Sequence, residues 1–202
     1  MVFGNGLTVN FELGVAGFHN IPPQWPLPHV LNELVNKSSG QFIYASTVIN
    51  YVSSIRHKPT DRLDIILGIR LPQKDLPFSE LDALYTHILA AVEDIECVLE
   101  ILGIVFFHNP FSARQELWTP PIIEQFPSLQ PGDVELHLGD LNSLVNYEPD
   151  QYIGVLHASL PDFLVDPTRS KTFWINPQAR HTAFARRCLQ ILQGKGKQNN
   201  FP

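Results

Sequence analysis

From Gln41 to Arg56, the apolar residues Phe42, Ala45, Val48, Ile49, Val52 and Ile55 recur every three or four positions, which predicts a helix with one buried face. A shorter helix is expected before it, over His29 to Asn36, with Ser38-Ser39-Gly40 as the break between the two. Pro59 ends this helix, and Thr60 is placed to cap a third one whose inward side chains would be Leu63, Ile66 and Leu67. After a proline-marked loop from Leu71 to Pro77, Ser79 can cap a helix that turns Leu81, Leu84, Tyr85, Ile88, Leu89 and Val92 to one side. Ile95 to Phe107 is apolar on nearly every side, as a helix covered on several faces must be, and Pro110 stops it.

The second half is punctuated differently. Pro120-Pro121 opens a short helix to Phe126, and Pro131-Gly132 opens another to Asn146 in which Val134, Leu138, Leu141 and Val145 recur at helical spacing. Tyr152 to Leu156 reads as a strand, and Thr172 to Ile175 as a second short strand that could complete a ribbon with it. A last amphipathic helix is predicted over Pro177 to Leu192, followed by a polar tail. The fold class expected is mainly α: a helical lobe over residues 25–70, a second helical lobe over 78–176 with a small β ribbon, and a C-terminal helix over 177–193. Residues 1–24, with four glycines and then clustered prolines, are expected to form a poorly ordered leader.

Charge narrows the function. With 14 basic and 20 acidic side chains the formal charge is -6, so the molecule as a whole repels polyanions. The predicted helix from Pro131 to Asn146 contains Asp133, Glu135 and Asp140 but no Lys or Arg, which argues against insertion into a DNA groove. Phe163, Phe173, Trp174 and Phe184 lack the interleaved cations of a base-stacking platform and are expected in the core. The cluster of Arg186, Arg187, Lys195 and Lys197 fits a solvated helix end. Cys97 and Cys188 have neither CxxC spacing nor a His pair at ligand spacing, and are expected to be reduced thiols in a cytoplasmic protein with no metal. The apolar run Ile101 to Phe107 is far shorter than the ~20 residues of a membrane span.

No catalytic constellation emerges. His157 and Ser159 lie two apart where the strand turns into a helix, but no Gly-x-Ser-x-Gly elbow surrounds them, and His137 and His181 belong to no HExxH pattern. A P-loop of the form Gly-x4-Gly-Lys-Ser/Thr is also missing: Lys37-Ser38 follows Asn36, and Gly194-Lys195 precedes Gly196. Phe163-Leu164-Val165-Asp166 is the nearest approach to a Walker B segment, but its neighbours read as helix or loop rather than strand.

Five blocks in order carry a resemblance: Lys37 to Ala45, Phe78 to Tyr85, Pro131 to Val134, Leu156-His157-Ala158-Ser159-Leu160, and Ala179-Arg180-His181-Thr182-Ala183. Together they resemble the region that follows the phosphate-binding core in fungal NACHT-type (STAND class) signal-transducing nucleoside triphosphatases, from about Trp25 to Leu192. The resemblance implies that the lobe over 78–176 is winged-helix-like and that the lobe over 25–70 is the helical domain beside the nucleotide. It further implies that His157 is a phosphate sensor that donates a hydrogen bond to bound ADP. Near Gly40 relatives often place a proline against the adenine; none occurs in Ser38 to Ala45, so that segment reads as a cap and a turn. The implied function is regulatory, through other NACHT-type or self-associating protein chains, with no nucleic acid or membrane partner and no hydrolysis by these residues alone. ADP or ATP would bind only with a P-loop partner. Two other readings stay open: a nucleotide site completed by such a partner, and a stand-alone helical adaptor.

Overall fold

The computed structural model describes residues 21, 25–38, 41–54, 56–69, 78–107, 119–126, 129–146 and 152–193. The expectations for the leader, Gly40, the loop over 71–77, Pro110 and the polar tail lie outside these residues. The protein is mainly helical, with one two-stranded sheet among the described residues. Its elements are α1 (Pro28–Ser38), α2 (Phe42–Val52), α3 (Pro59–Gly68), α4 (Ser79–Ala90), α5 (Ile95–Phe107), α6 (Pro120–Ile123) and α7 (Asp133–Leu138). Strands β1 (Val145–Asn146) and β2 (Gly154–Val155) follow, then α8 (Ser159–Val165), α9 (Pro167–Ser170), a 3-10 turn (Lys171–Phe173) and α10 (Pro177–Leu192). No described helix is long and apolar enough to cross a membrane.

Contacts divide the chain into two compact units, residues 1–91 with 140–144, and residues 92–139 with 145–202. In the first, α2 packs on α1 and α3, and α4 packs on α1 and α2. Residues 79–90 therefore sit among the helices of the amino-terminal lobe, although the sequence reading groups them with the segment over 78–176. The core here is built from Leu34, Val48, Val52, Leu63, Ile66, Leu81, Leu84, Tyr85, Ile88 and Leu89. The buried face of α2 is rotated from the one its pattern predicts. Phe42 is 69% exposed, while Tyr44 and Tyr51 are buried. A tyrosine can go inside when its hydroxyl and backbone find partners, and Tyr51 has both.

The end of α3 is held by a distant cation. Lys37 Nζ donates to the carbonyls of Ile66, Leu67 and Ile69 at 3.1, 3.1 and 3.2 Å. These carbonyls close the helix, where Ile66 O also accepts the Ile69 N–H at 3.3 Å, and a positive charge there suits the helix dipole.

In the second unit, α5 is the central element, packed by α10 and α7, and α6 packs on α7. Val98, Ile101, Leu102, Ile123, Val134, Leu138, Phe163 and Leu164 form its core. Glu124 is buried, and its Oε1 accepts the backbone N–H groups of Gly132 (2.9 Å) and Val134 (3.2 Å), so it caps α7 from outside that helix. Gly132 itself adopts φ 92, which a side chain would resist.

Two expectations are corrected. The helix predicted from Pro131 to Asn146 stops at Leu138, because Gly139, Asp140 and Asn142 favour turns and Leu141 and Leu144 bury themselves through a turn closed by Leu144 N–H to Leu141 O, 2.8 Å. The same apolar spacing suits either backbone path. The ribbon is made instead by β1 and β2, antiparallel with Val145 opposite Val155. Thr172 to Ile175 is no strand: Asp166 caps α9, Lys171 turns at φ 51, and Phe173 closes a 3-10 turn. Phe173 and Ile175 are nonetheless buried, whereas Trp174, expected in the core, faces outward between them.

Candidate functional site

His157 stands at the corner between β2 and α8 and is exposed. Its Nδ1 accepts the backbone N–H of Ser159 at 3.1 Å and lies 2.8 Å from Ser159 Oγ. The amide donor fixes Nδ1 as an acceptor, so the neutral ring carries its proton on Nε2. The ring thus satisfies an amide of the first turn of α8 and keeps one N–H donor directed away from the corner. Chemically, this is an N–H donor held at the start of a short helix. Phe163 and Leu164 anchor the same short helix in the core. Asp162, exposed on α8, makes no described hydrogen bond with His157, and no triad is assembled.

The other residues singled out above are dispersed. Phe163 and Phe173 are buried; Trp174 is 41% exposed and donates from Nε1 to Val165 O at 3.2 Å. Phe184 stacks on Phe126 with ring centroids 4.7 Å apart. Of the basic cluster, Arg187 donates from Nε and Nη2 to Gln125 O at 3.0 and 2.8 Å, and so is engaged in closing the turn after α6. Arg186 is exposed, and Lys195 and Lys197 lie outside the described residues. Glu100, Gly103, Phe126, Arg180, Phe184 and Arg187 line a small open groove of about 100 Å³. It is well below the ~300–1,000 Å³ usual for small-molecule sites.

Two polar clusters escaped the sequence reading. In the first unit, Arg62 is only 6% exposed, donates from Nη1 to Tyr51 O at 2.7 Å, and lies 4.0 Å from the centroid of the Tyr51 ring. The Tyr51 hydroxyl lies 3.3 Å from Nε2 of half-buried His87. Burial raises the Tyr51 phenol above its ordinary range, against the pull of Arg62, and burial lowers the Arg62 guanidinium. Burial, and then the Arg62 charge, push His87 below the usual histidine value. The ring is held neutral in the folded state, so the unfolded chain binds a proton first as the solution is acidified.

Stability should therefore be flat above the unfolded histidine pKa, about 6.5, and fall as pH drops from there to the folded value. Urea midpoints measured between neutral and mildly acidic pH should show this slope, and His87→Gln should flatten it. An unchanged slope in that variant would mean that His87 is not the group responsible.

In the second unit, Asp94, Cys97 and His137 each present a donor atom within 4.8 Å of the others. Asp94 precedes α5, and its Oδ1 accepts the Cys97 N–H at 3.1 Å. His137 comes from α7, which packs on α5. The Cys97 thiol is pushed up to about 11 by burial first and then by Asp94, Glu100 and Asp133. The spacing Asp94-x-x-Cys97 was visible along the chain, but only tertiary packing supplies the imidazole.

Comparison of the chain with protein-family models, with curated proteins and with solved structures gives no match.

Proposed function

We propose that the chain is the regulatory helical and winged-helix-like part of a NACHT-type signal-transducing nucleoside triphosphatase, acting through protein–protein association and without hydrolysing nucleotide by itself. The observation that carries this reading is the ordered set of five sequence blocks, within which His157 occupies the strand-to-helix corner. A winged-helix-like lobe suits the second unit, with its short helices α6 and α7, the β1–β2 ribbon and α8. The Nε2–H of His157, left over after Nδ1 has capped α8, is the donor a phosphate would need. A hydrogen bond to a charged phosphate contributes about 1.5–3 kcal/mol, enough to bias a closed state by roughly ten- to hundredfold. The partner would supply the P-loop, since Gly-x4-Gly-Lys-Ser/Thr is not found in these 202 residues.

Calorimetry tests the proposal. The chain alone should give no heat with ADP and no turnover of ATP. Mixed with a NACHT domain that carries a P-loop, it should tighten ADP binding by roughly ten- to hundredfold, and His157→Ala should abolish that gain while leaving the fold intact. ATP turnover by the chain alone would overturn the reading, as would a gain indifferent to His157.

A further inference from the structure

We propose that Asp94, Cys97 and His137 form a zinc-type divalent metal site, in which two ligands at the start of α5 and one on α7 tie these helices together. The donors are a carboxylate, a thiol and an imidazole, the three side-chain classes that zinc takes in proteins. Their convergence is not an accident of one local turn, because His137 reaches the other two from a separate helix. Donor atoms around a tetrahedral zinc, at bond lengths of about 2.0–2.3 Å, lie about 3.3–3.6 Å apart. The present spread of no more than 4.8 Å lies within about 1.5 Å of that spacing.

The surroundings suit a cation. Asp94 is exposed and Cys97 and His137 are half-buried, so an ion can enter from solvent. Glu100 and Asp133 add negative charge close to the thiol. Asp133 is itself fixed by accepting the Gln130 N–H on Oδ2 at 2.6 Å, and stands four residues before His137 on the same face of α7. Asp94 already holds one carboxylate oxygen on the Cys97 amide, which orients the group and leaves its second oxygen for the metal. Three protein ligands leave a fourth position on the solvent side, filled by water. Binding converts the Cys97 thiol to a metal thiolate and releases its proton to solution, so the charge balances.

Cobalt(II) titrated into the full chain under reducing conditions is the test. A thiolate-to-cobalt charge-transfer band in the near ultraviolet should saturate at one metal per chain and be displaced by zinc. The band should vanish in Cys97→Ser and persist in Cys188→Ser, while His137→Ala and Asp94→Asn each weaken binding by about tenfold or more. Zinc should raise the melting temperature of the wild type and leave that of Cys97→Ser unmoved. Absence of a band in the wild type at millimolar cobalt would overturn the site. So would a band lost in Cys188→Ser, or affinity unchanged in His137→Ala, a partly exposed position where folding is not at stake and circular dichroism can verify it.

Discussion

Phe163→Ala should lower the free energy of unfolding by about 3–5 kcal/mol, the range for deleting a fully buried aromatic ring. Phe163 is 0% exposed and is among the largest enclosed side chains of the protein. Helix α8 spans only seven residues, too few to be stable by itself, so packing of Phe163 and Leu164 is what holds it in place. Since total stability for domains is about 5–15 kcal/mol, the variant should sit near its unfolding midpoint in much lower urea. Leu189→Ala on α10 is the matched control: at 57% exposure it should change stability by no more than about 0.5 kcal/mol. Equal urea midpoints for the two variants would refute the assignment of Phe163 to the core. Because His157 caps α8, the Phe163 variant should also loosen any phosphate contact that the histidine makes.

Arg62→Ala should cost about 2–4 kcal/mol. The substitution removes a charge-assisted hydrogen bond to Tyr51 O and a cation–π contact with the Tyr51 ring, worth about 1.5–3 and 0.5–2 kcal/mol respectively. The enclosed guanidinium carries a desolvation penalty that its loss relieves, which keeps the net below the sum. Arg62→Met retains the side-chain volume and relieves the same penalty, so it should lose less than Arg62→Ala. Arg62→Lys should recover little, because an ammonium cannot lie flat on the Tyr51 ring while donating in the plane of the carbonyl. Thermal and urea unfolding of the three variants check the order. An alanine variant within about 0.5 kcal/mol of wild type would show that the cluster is incidental.

The two predictions rest on different kinds of information. Phe163 could be placed in the core from its apolar neighbours alone. Arg62 could not, because in the sequence it is one more charged residue in a helix with a single apolar face, and such residues ordinarily face solvent. Its burial follows from the end of α2. The carbonyl of Tyr51 lies in the last turn of that helix and has no partner within it, and the guanidinium reaches it from α3. Lys37 on the end of α3, Glu124 on the start of α7 and Arg187 on the turn after α6 repeat the pattern. The caps suggested by local sequence do not form: Phe78 rather than Ser79 precedes α4, and Lys58 with Pro59 rather than Thr60 begins α3. A hydroxyl at the right position is only one supplier of a hydrogen bond, and a charged side chain from another helix supplies a stronger one.

Proline punctuation and the three-to-four spacing of apolar residues were enough to establish a mainly helical chain, the starts of α6 and α10, the whole extent of α5, and most of the core. These signals act over one or two turns of chain, where backbone sterics and side-chain phase are decided locally. Tertiary structure alone determined that Val145 rather than Thr172 pairs with the strand before His157, that Arg62 goes inside, and that His137 comes within 4.8 Å of Asp94 and Cys97. Each of those outcomes depends on a partner distant in sequence, and a hydrogen bond or ligand contact across such a distance leaves no periodicity in the chain that makes it.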